Sequence, residues 1–242
     1  MDLDSAAIVE RTTAETGARL SSFSRLGAPV PEDDDLRGSG AADFHQDLVW
    51  MTDRLVTERI AVAGRAKTNP LTRPILRLIW SFSERLVQGK GEVLFQGGSI
   101  RHRRKSSQPW GDPQGSKLEP KSPRDPLCAL DPLLKGRCPL VLTGQDDVRG
   151  ERTDRYRVEL PITCFHPSIQ KSLISEDPQG AVETNAIEVI VWLDSQLRIR
   201  RLSFESHRGN DALDSLWSIT EFYDFGAGPT QFLREIHDKA MA

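Results

Sequence analysis

Cysteine is scarce in this chain. There are three in 242 residues, Cys128, Cys138 and Cys164, with none before position 128 and no Cys-x-x-Cys pair. That is too few for a disulfide framework, and with no histidine couple nearby they read as small buried thiols rather than metal ligands. Long apolar runs are missing as well: no stretch approaches the roughly 18 residues of a membrane-spanning helix. Neither sign of charge dominates. With 32 basic and 35 acidic residues the net charge is −3, which supplies no global field to draw in nucleic acid or an anionic membrane. The histidines (His45, His102, His166, His207 and His237) are scattered, with no His-x-x-x-His pair, so no metal site is expected.

Signatures of catalysis are lacking too. Gly97-Gly98-Ser99-Ile100-Arg101 has no second glycine of a nucleophile elbow, and nothing matches a phosphate loop or a complete dinucleotide fingerprint. Asp224-Phe225-Gly226 has the letters of a kinase metal-binding motif. The glycine-rich loop, Val-Ala-Ile-Lys and His-Arg-Asp that a kinase requires are absent upstream. The expectation is a protein that is not an enzyme and carries no cofactor. The N-terminus, Met1-Asp2-Leu3-Asp4, is acidic where a secretory signal is basic and then apolar. The chain as written is therefore expected to be cytoplasmic, or to belong to the cell envelope if a leader precedes it.

What is present is mostly strand-like. Arg155–Leu160, Ile187–Asp194, Gln196–Phe204 and Trp217–Gly226 are runs rich in β-branched and aromatic residues, bounded by turn residues. Earlier, Phe44–Trp50 and Val56–Val62 alternate in the same way. Glu92–Phe95 and Ile100–Lys105 form a hairpin pattern around Gly97-Gly98. Helices are fewer. Ser5 to about Leu20 is predicted to be one, capped by Ser5; Asp131-Pro132-Leu133-Leu134-Lys135 opens a short one, with Asp131 as cap; Ser168–Ser175 is a third. Pro70–Gly89 fits either a helix, through Ile75, Ile79, Phe82 and Leu86, or a strand through Leu76–Trp80. The acidic run Glu32–Asp35 lies in a Pro- and Gly-rich stretch and reads as a solvated loop, since it lacks the alternating ligands of a calcium loop. The resulting organisation is an N-terminal helix and acidic loop over 1–40, then one domain over 41–242 with an insertion near 65–90. The class is α+β with an antiparallel sheet.

Taken in order, the motifs resemble the lipoprotein-carrier superfamily of LolA and LolB, and more closely the actinobacterial LppX/LprG-type lipoproteins. The residues that carry this are Gly91–Gly98 followed by Ser99–Arg104 and Trp110, Asp131-Pro132-Leu133-Leu134, Gly150–Tyr156, Val191-Trp192-Leu193-Asp194 and Tyr223-Asp224-Phe225-Gly226. The resemblance spans roughly residues 43–230. Three departures stand against it: no export signal or lipobox, His102 where a tyrosine is expected, and the insertion at 65–90. It implies a strongly curved antiparallel half-barrel with helices on its concave face, and an acyl chain or a partner's lipid anchor held between sheet and helices.

The strands support a one-sided sheet independently. Ile187, Val189, Val191 and Leu193 share one parity; so do Tyr156, Val158 and Leu160, against Arg155, Arg157 and Glu159. With Trp217 and Ile219 these residues form the expected ligand-cavity face. A filled core explains the same pattern, and both readings stay open at this stage. A protein partner, if there is one, would meet the surface of Ile190, Trp192, Arg101, Arg103 and Arg104. The simpler reading of the basic run Arg101–Lys105 is a solvated outer strand, where positive charge discourages edge pairing.

Overall fold

The computed structural model describes residues 3–26, 38–53, 91–103, 107–115, 125–167, 170, 186–206 and 216–241. The expected strand at 56–62, the ambiguous segment 70–89, the insertion at 65–90, the acidic run 32–35, Arg104 and, apart from Gln170, the expected helix at 168–175 lie outside these residues.

The N-terminal helix α1 (Ser5–Thr13) is shorter than its apolar pattern predicts, and its cap is Asp4 rather than Ser5: the Asp4 carboxylate accepts from the Ala7 amide at 2.8 Å. The expected continuation to Leu20 is instead the start of strand β1 (Gly17–Leu26). Its neighbours explain why. β1 is hydrogen-bonded on both sides, to β2 (Gly38–Asp43) and to β10 (Leu216–Tyr223), and this ladder overrides a weak helical propensity. Gly17 is required there, because a side chain would strike the Ala42 carbonyl and come within 2.7 Å of Thr230 Oγ1.

The expected strand at Phe44–Trp50 also shifts. Asp43 Oδ1 accepts from the amides of His45 and Gln46, both at 3.0 Å, and folds 44–47 into a turn with Asp47 at positive φ. β3 therefore begins at Leu48 (Leu48–Asp53). β4 (Gly91–Gln96) and β5 (Ser99–Arg103) form the predicted hairpin about Gly97 and Gly98.

A 3-10 turn, Pro126–Ala129, is capped by Asp125 and leads into α2 (Asp131–Gly136). Asp131 is the first residue of α2 and not its cap; Leu130 occupies the cap position without a side-chain bond. β6 (Val141–Val148), which carries no clear alternation, pairs with the long β7 (Glu151–Pro161) through a two-residue turn. Arg149 and Gly150 both take positive φ in that turn, as a tight hairpin demands. β8 (Ala186–Leu193) and β9 (Ile199–Ser206) follow, then β10 and the helix α3 (Ala227–Met241). Neither β6 nor α3 was anticipated from the sequence.

Among the described residues the strands form one curved, open antiparallel sheet of ten, in the order β5-β4-β3-β2-β1-β10-β9-β8-β7-β6. The fold class is α+β, as expected. One sheet face carries the larger core, joined by α1, the 3-10 turn and α2. On the reverse face α3 packs Leu233, Ile236 and Ala240 against Ala41, Leu48 and Leu94.

Candidate functional site

Alternation along β7 and β8 builds an apolar belt on the larger face. Val158 pairs with Val189, Leu160 with Ile187 and Tyr156 with Val191; β9 continues the belt, with Phe204 opposite Val189 and Leu202 opposite Val191. Val158, Leu160, Ile187, Val189, Val191 and Leu193 are all buried, and Tyr156 packs partly buried against them. Burial, helped by the nearby Asp154 carboxylate, pushes the Tyr156 phenol above its ordinary range.

Ile8 and Val9 of α1, together with Leu127, Leu130 and Leu133 from the 3-10 turn and α2, belong to the same core. A small set of polar bonds holds this cover. Ser5 Oγ donates to the Leu133 carbonyl at 2.6 Å and accepts from the Cys138 amide at 3.0 Å. Thr12 Oγ1 donates to the Ile8 carbonyl and accepts from the Ile199 amide at 2.9 Å, fixing α1 to the start of β9.

Ile219 does not join the belt. Along β10 it is Phe222, with Ser218 and Thr220, that shares the face of Leu202 and Phe204. Ile219 sits opposite Ser203 on the reverse face, half-buried. Trp217 is placed as a strand position opposite Arg25 and Glu205.

Ile190 and Trp192 lie half-buried on the reverse face, as their parity requires. Trp192 is already engaged within the chain: its indole N–H donates to Asp146 Oδ2 at 2.8 Å, and the Arg201 guanidinium lies 5.5 Å from its ring centre. Arg201 and Arg149 both bind the buried Glu221 carboxylate, at 2.6 and 2.7 Å, and Arg149 stacks on Tyr223. In the basic hairpin, Arg103 bonds Glu92 and stacks on Trp110 at 4.6 Å, while Arg101 pairs with Leu94 in the ladder. The buried Glu92 also accepts from the Trp50 indole at 2.9 Å.

Sequence reading missed these buried acids, Asp194 most of all. Its Oδ1 accepts from the amides of Gln196 and Arg198, and its Oδ2 binds the side chains of Arg198 and Arg200. Phe225 is stacked by both arginines, at 4.7 and 5.1 Å. Burial alone would raise the Asp194 pKa; the backbone and side-chain bonds from Arg198, its charge and the Gln196 amide together hold it below the ordinary value. The period-two spacing of Arg198 and Arg200 after an acid is the only signal that could have pointed to it.

Among the described residues no group of three or more His, Cys, Asp or Glu is placed to hold a metal ion, and no helix is long and apolar enough to cross a membrane. No family model matches the chain, and neither does any curated protein. Among solved structures it is similar to the lipoprotein LppX of Mycobacterium tuberculosis, with 12% identity over 92% of this chain and 94% of that one, at a TM-score of 0.49. It is also similar to LprF from Mycobacterium bovis, with 10% identity over 92% and 93% at a TM-score of 0.43. A LolA superfamily protein from Nitrosomonas europaea follows, with 9% identity over 93% of each chain at 0.27.

Proposed function

We propose that this protein is a non-enzymatic binder of an apolar chain, the acyl chain of a lipid or of a lipid-anchored protein, on the belt formed by β7, β8 and β9. The observation that carries this reading is the cover. Among the described residues a wide apolar face is closed by a helix of nine residues, another of six and two 3-10 turns, Pro126–Ala129 and Ile162–Cys164. Helices this short are marginal alone, since isolated helices below about 12–15 residues rarely persist in water. The cover therefore owes its order to the apolar surface beneath it. An acyl chain offers that surface the same kind of contact, about 0.8 kcal/mol for each methylene removed from water. About ten methylenes supply roughly 8 kcal/mol.

The motif order that resembles lipoprotein carriers supports the same reading. Trp192 and Arg103, which a protein-interaction module would use, are instead spent on Asp146 and Glu92.

Photolabelling with a diazirine derivative of palmitate, followed by peptide mapping, tests the site. Label is expected on the peptides bearing Val158–Leu160, Ile187–Leu193 and α1, and unlabelled palmitate should compete for it. Label that is absent, or that palmitate does not displace, would overturn the reading.

A further inference from the structure

The reverse side of the sheet holds a cavity separate from the apolar belt. It lies between α3 and the ends of β1 and β2 and has a volume of about 300 Å³, a size within reach of small-molecule clefts. One wall is a single face of α3: Ala227, Thr230, Gln231 and Arg234 recur at helical spacing. The other wall is Thr16, Asp43, His45 and Gln46.

Three features give this cavity a chemical preference. The first is Thr230. It is 94% buried by its 6% exposure, lines the cavity, and its Oγ1 has no hydrogen-bond partner. An unsatisfied buried hydroxyl is destabilising unless something bonds it, and a side chain at position 17 would crowd this one, so Gly17 leaves it room. The second is positive potential. Ala227 is the first residue of α3, the first turn contains no acidic residue, and Arg234 stands two turns further along the same face. Free amides and the helix dipole at such an end favour an anion. The third is Asp43, 1% exposed, whose Oδ1 already takes the His45 and Gln46 amides. A carboxylate has about four acceptor sites, so Asp43 can still accept from a donor on a ligand, and its charge disfavours a bare anion.

We propose that this cavity binds a small polar anion that also bears a hydrogen-bond donor, of the hydroxy-acid or phosphate-ester class. The anionic group sits toward Arg234 and the start of α3, and the donor faces Asp43, with the Thr230 hydroxyl bonding between them.

Glycerol 3-phosphate is a suitable probe, with sulfate as the control lacking a donor and glycerol as the control lacking charge. Titration followed by amide chemical shifts should give saturable changes at residues 43–46 and at Ala227, Gly228, Thr230 and Gln231, with each control binding at least tenfold more weakly. Arg234→Gln, at an exposed position, should weaken binding at least tenfold. Thr230→Val should weaken it several-fold while leaving the thermal midpoint of the ligand-free protein unchanged or higher, since that hydroxyl has no partner to lose. A merely structural threonine would lower the midpoint instead. No saturable change at these amides, or binding that Arg234→Gln leaves unaltered, would overturn the proposal.

Discussion

At the scale of single residues, position in the alternation decides what a substitution costs. Val191 is fully buried in the belt between Tyr156 and Leu202. Val191→Asp places an unpaired carboxylate there and should cost several kcal/mol, out of the roughly 5–15 kcal/mol that hold a domain folded. Arg157 points the other way, exposed and 3.6 Å from an exposed Glu188. Arg157→Ser should cost less than about 0.5 kcal/mol. Urea midpoints compare the two, and equal midpoints would contradict the face assignment. Asp194 makes a different kind of test. Its folded-state pKa lies below the ordinary value of 3.8, so its stabilisation is complete above that value and is lost as pH falls through the folded pKa. Asp194→Asn, which breaks the buried contacts to Arg198 and Arg200, should cost on the order of 3 kcal/mol at pH 7. The difference from the parent protein should shrink steadily below pH 3.8, and urea melts at both pH values would measure it.

At the scale of elements, the joint between α1 and α2 rests on Ser5. Its hydroxyl satisfies the Leu133 carbonyl and the Cys138 amide at once, and the Ser5 amide bonds the Cys138 carbonyl. Ser5→Ala leaves two partners unsatisfied and should destabilise by about 1–3 kcal/mol. It loosens the cover without touching the belt, so amide exchange should accelerate in α1 and α2 before β7 and β8. Uniform acceleration would mean that the cover does not open on its own. The belt beneath was legible in the sequence because one parity of each strand is apolar. Tyr156, Val158 and Leu160 alternate with Arg155, Arg157 and Glu159 in β7, and Ile187, Val189, Val191 and Leu193 share a face in β8. β10 was legible as a strand, but its core-facing side was not, because small polar residues are buried there: Ser22 and Thr220 meet across the sheet at 3.2 Å on the core face, while Ile219 lies on the reverse side. β6 escaped notice as an end strand whose Val141 and Leu142 are exposed. The end of α1 is decided by the β2 and β10 ladders, which no local pattern records. The cavity beside α3 gathers residues from positions 16, 43–46 and 227–234, and only the folded sheet brings these together.

At the scale of the whole molecule, the two faces of the sheet are closed in unlike ways. α3 is one continuous helix of fifteen residues whose apolar stripe seats on β2 and β3. The larger face is closed near β7–β9 by short pieces, joined to each other and to the segment at 138–140 through Ser5, the Asp4–Pro139 bridge and the Leu3–Leu140 bond. An open sheet lets such a cover lift while the strand ladder stays intact, because among the described residues no ladder bond crosses from β5 to β6 to resist it. A ligand that takes the place of the cover therefore binds the folded sheet and not the unfolded chain, and linkage turns that difference into stability. At a hundredfold excess over its Kd, a fatty acid should stabilise the protein by about 2.7 kcal/mol. For a domain of this size that corresponds to a rise in Tm of about 5–10 °C. Scanning calorimetry with palmitate kept below its critical micelle concentration would measure it. The rise should be larger in Ser5→Ala, where less cover packing has to be given up, and should vanish in Val189→Asp, which puts a charge on the belt. A Tm unchanged by palmitate in both the parent protein and Ser5→Ala would show that the apolar face is a closed core and not a site.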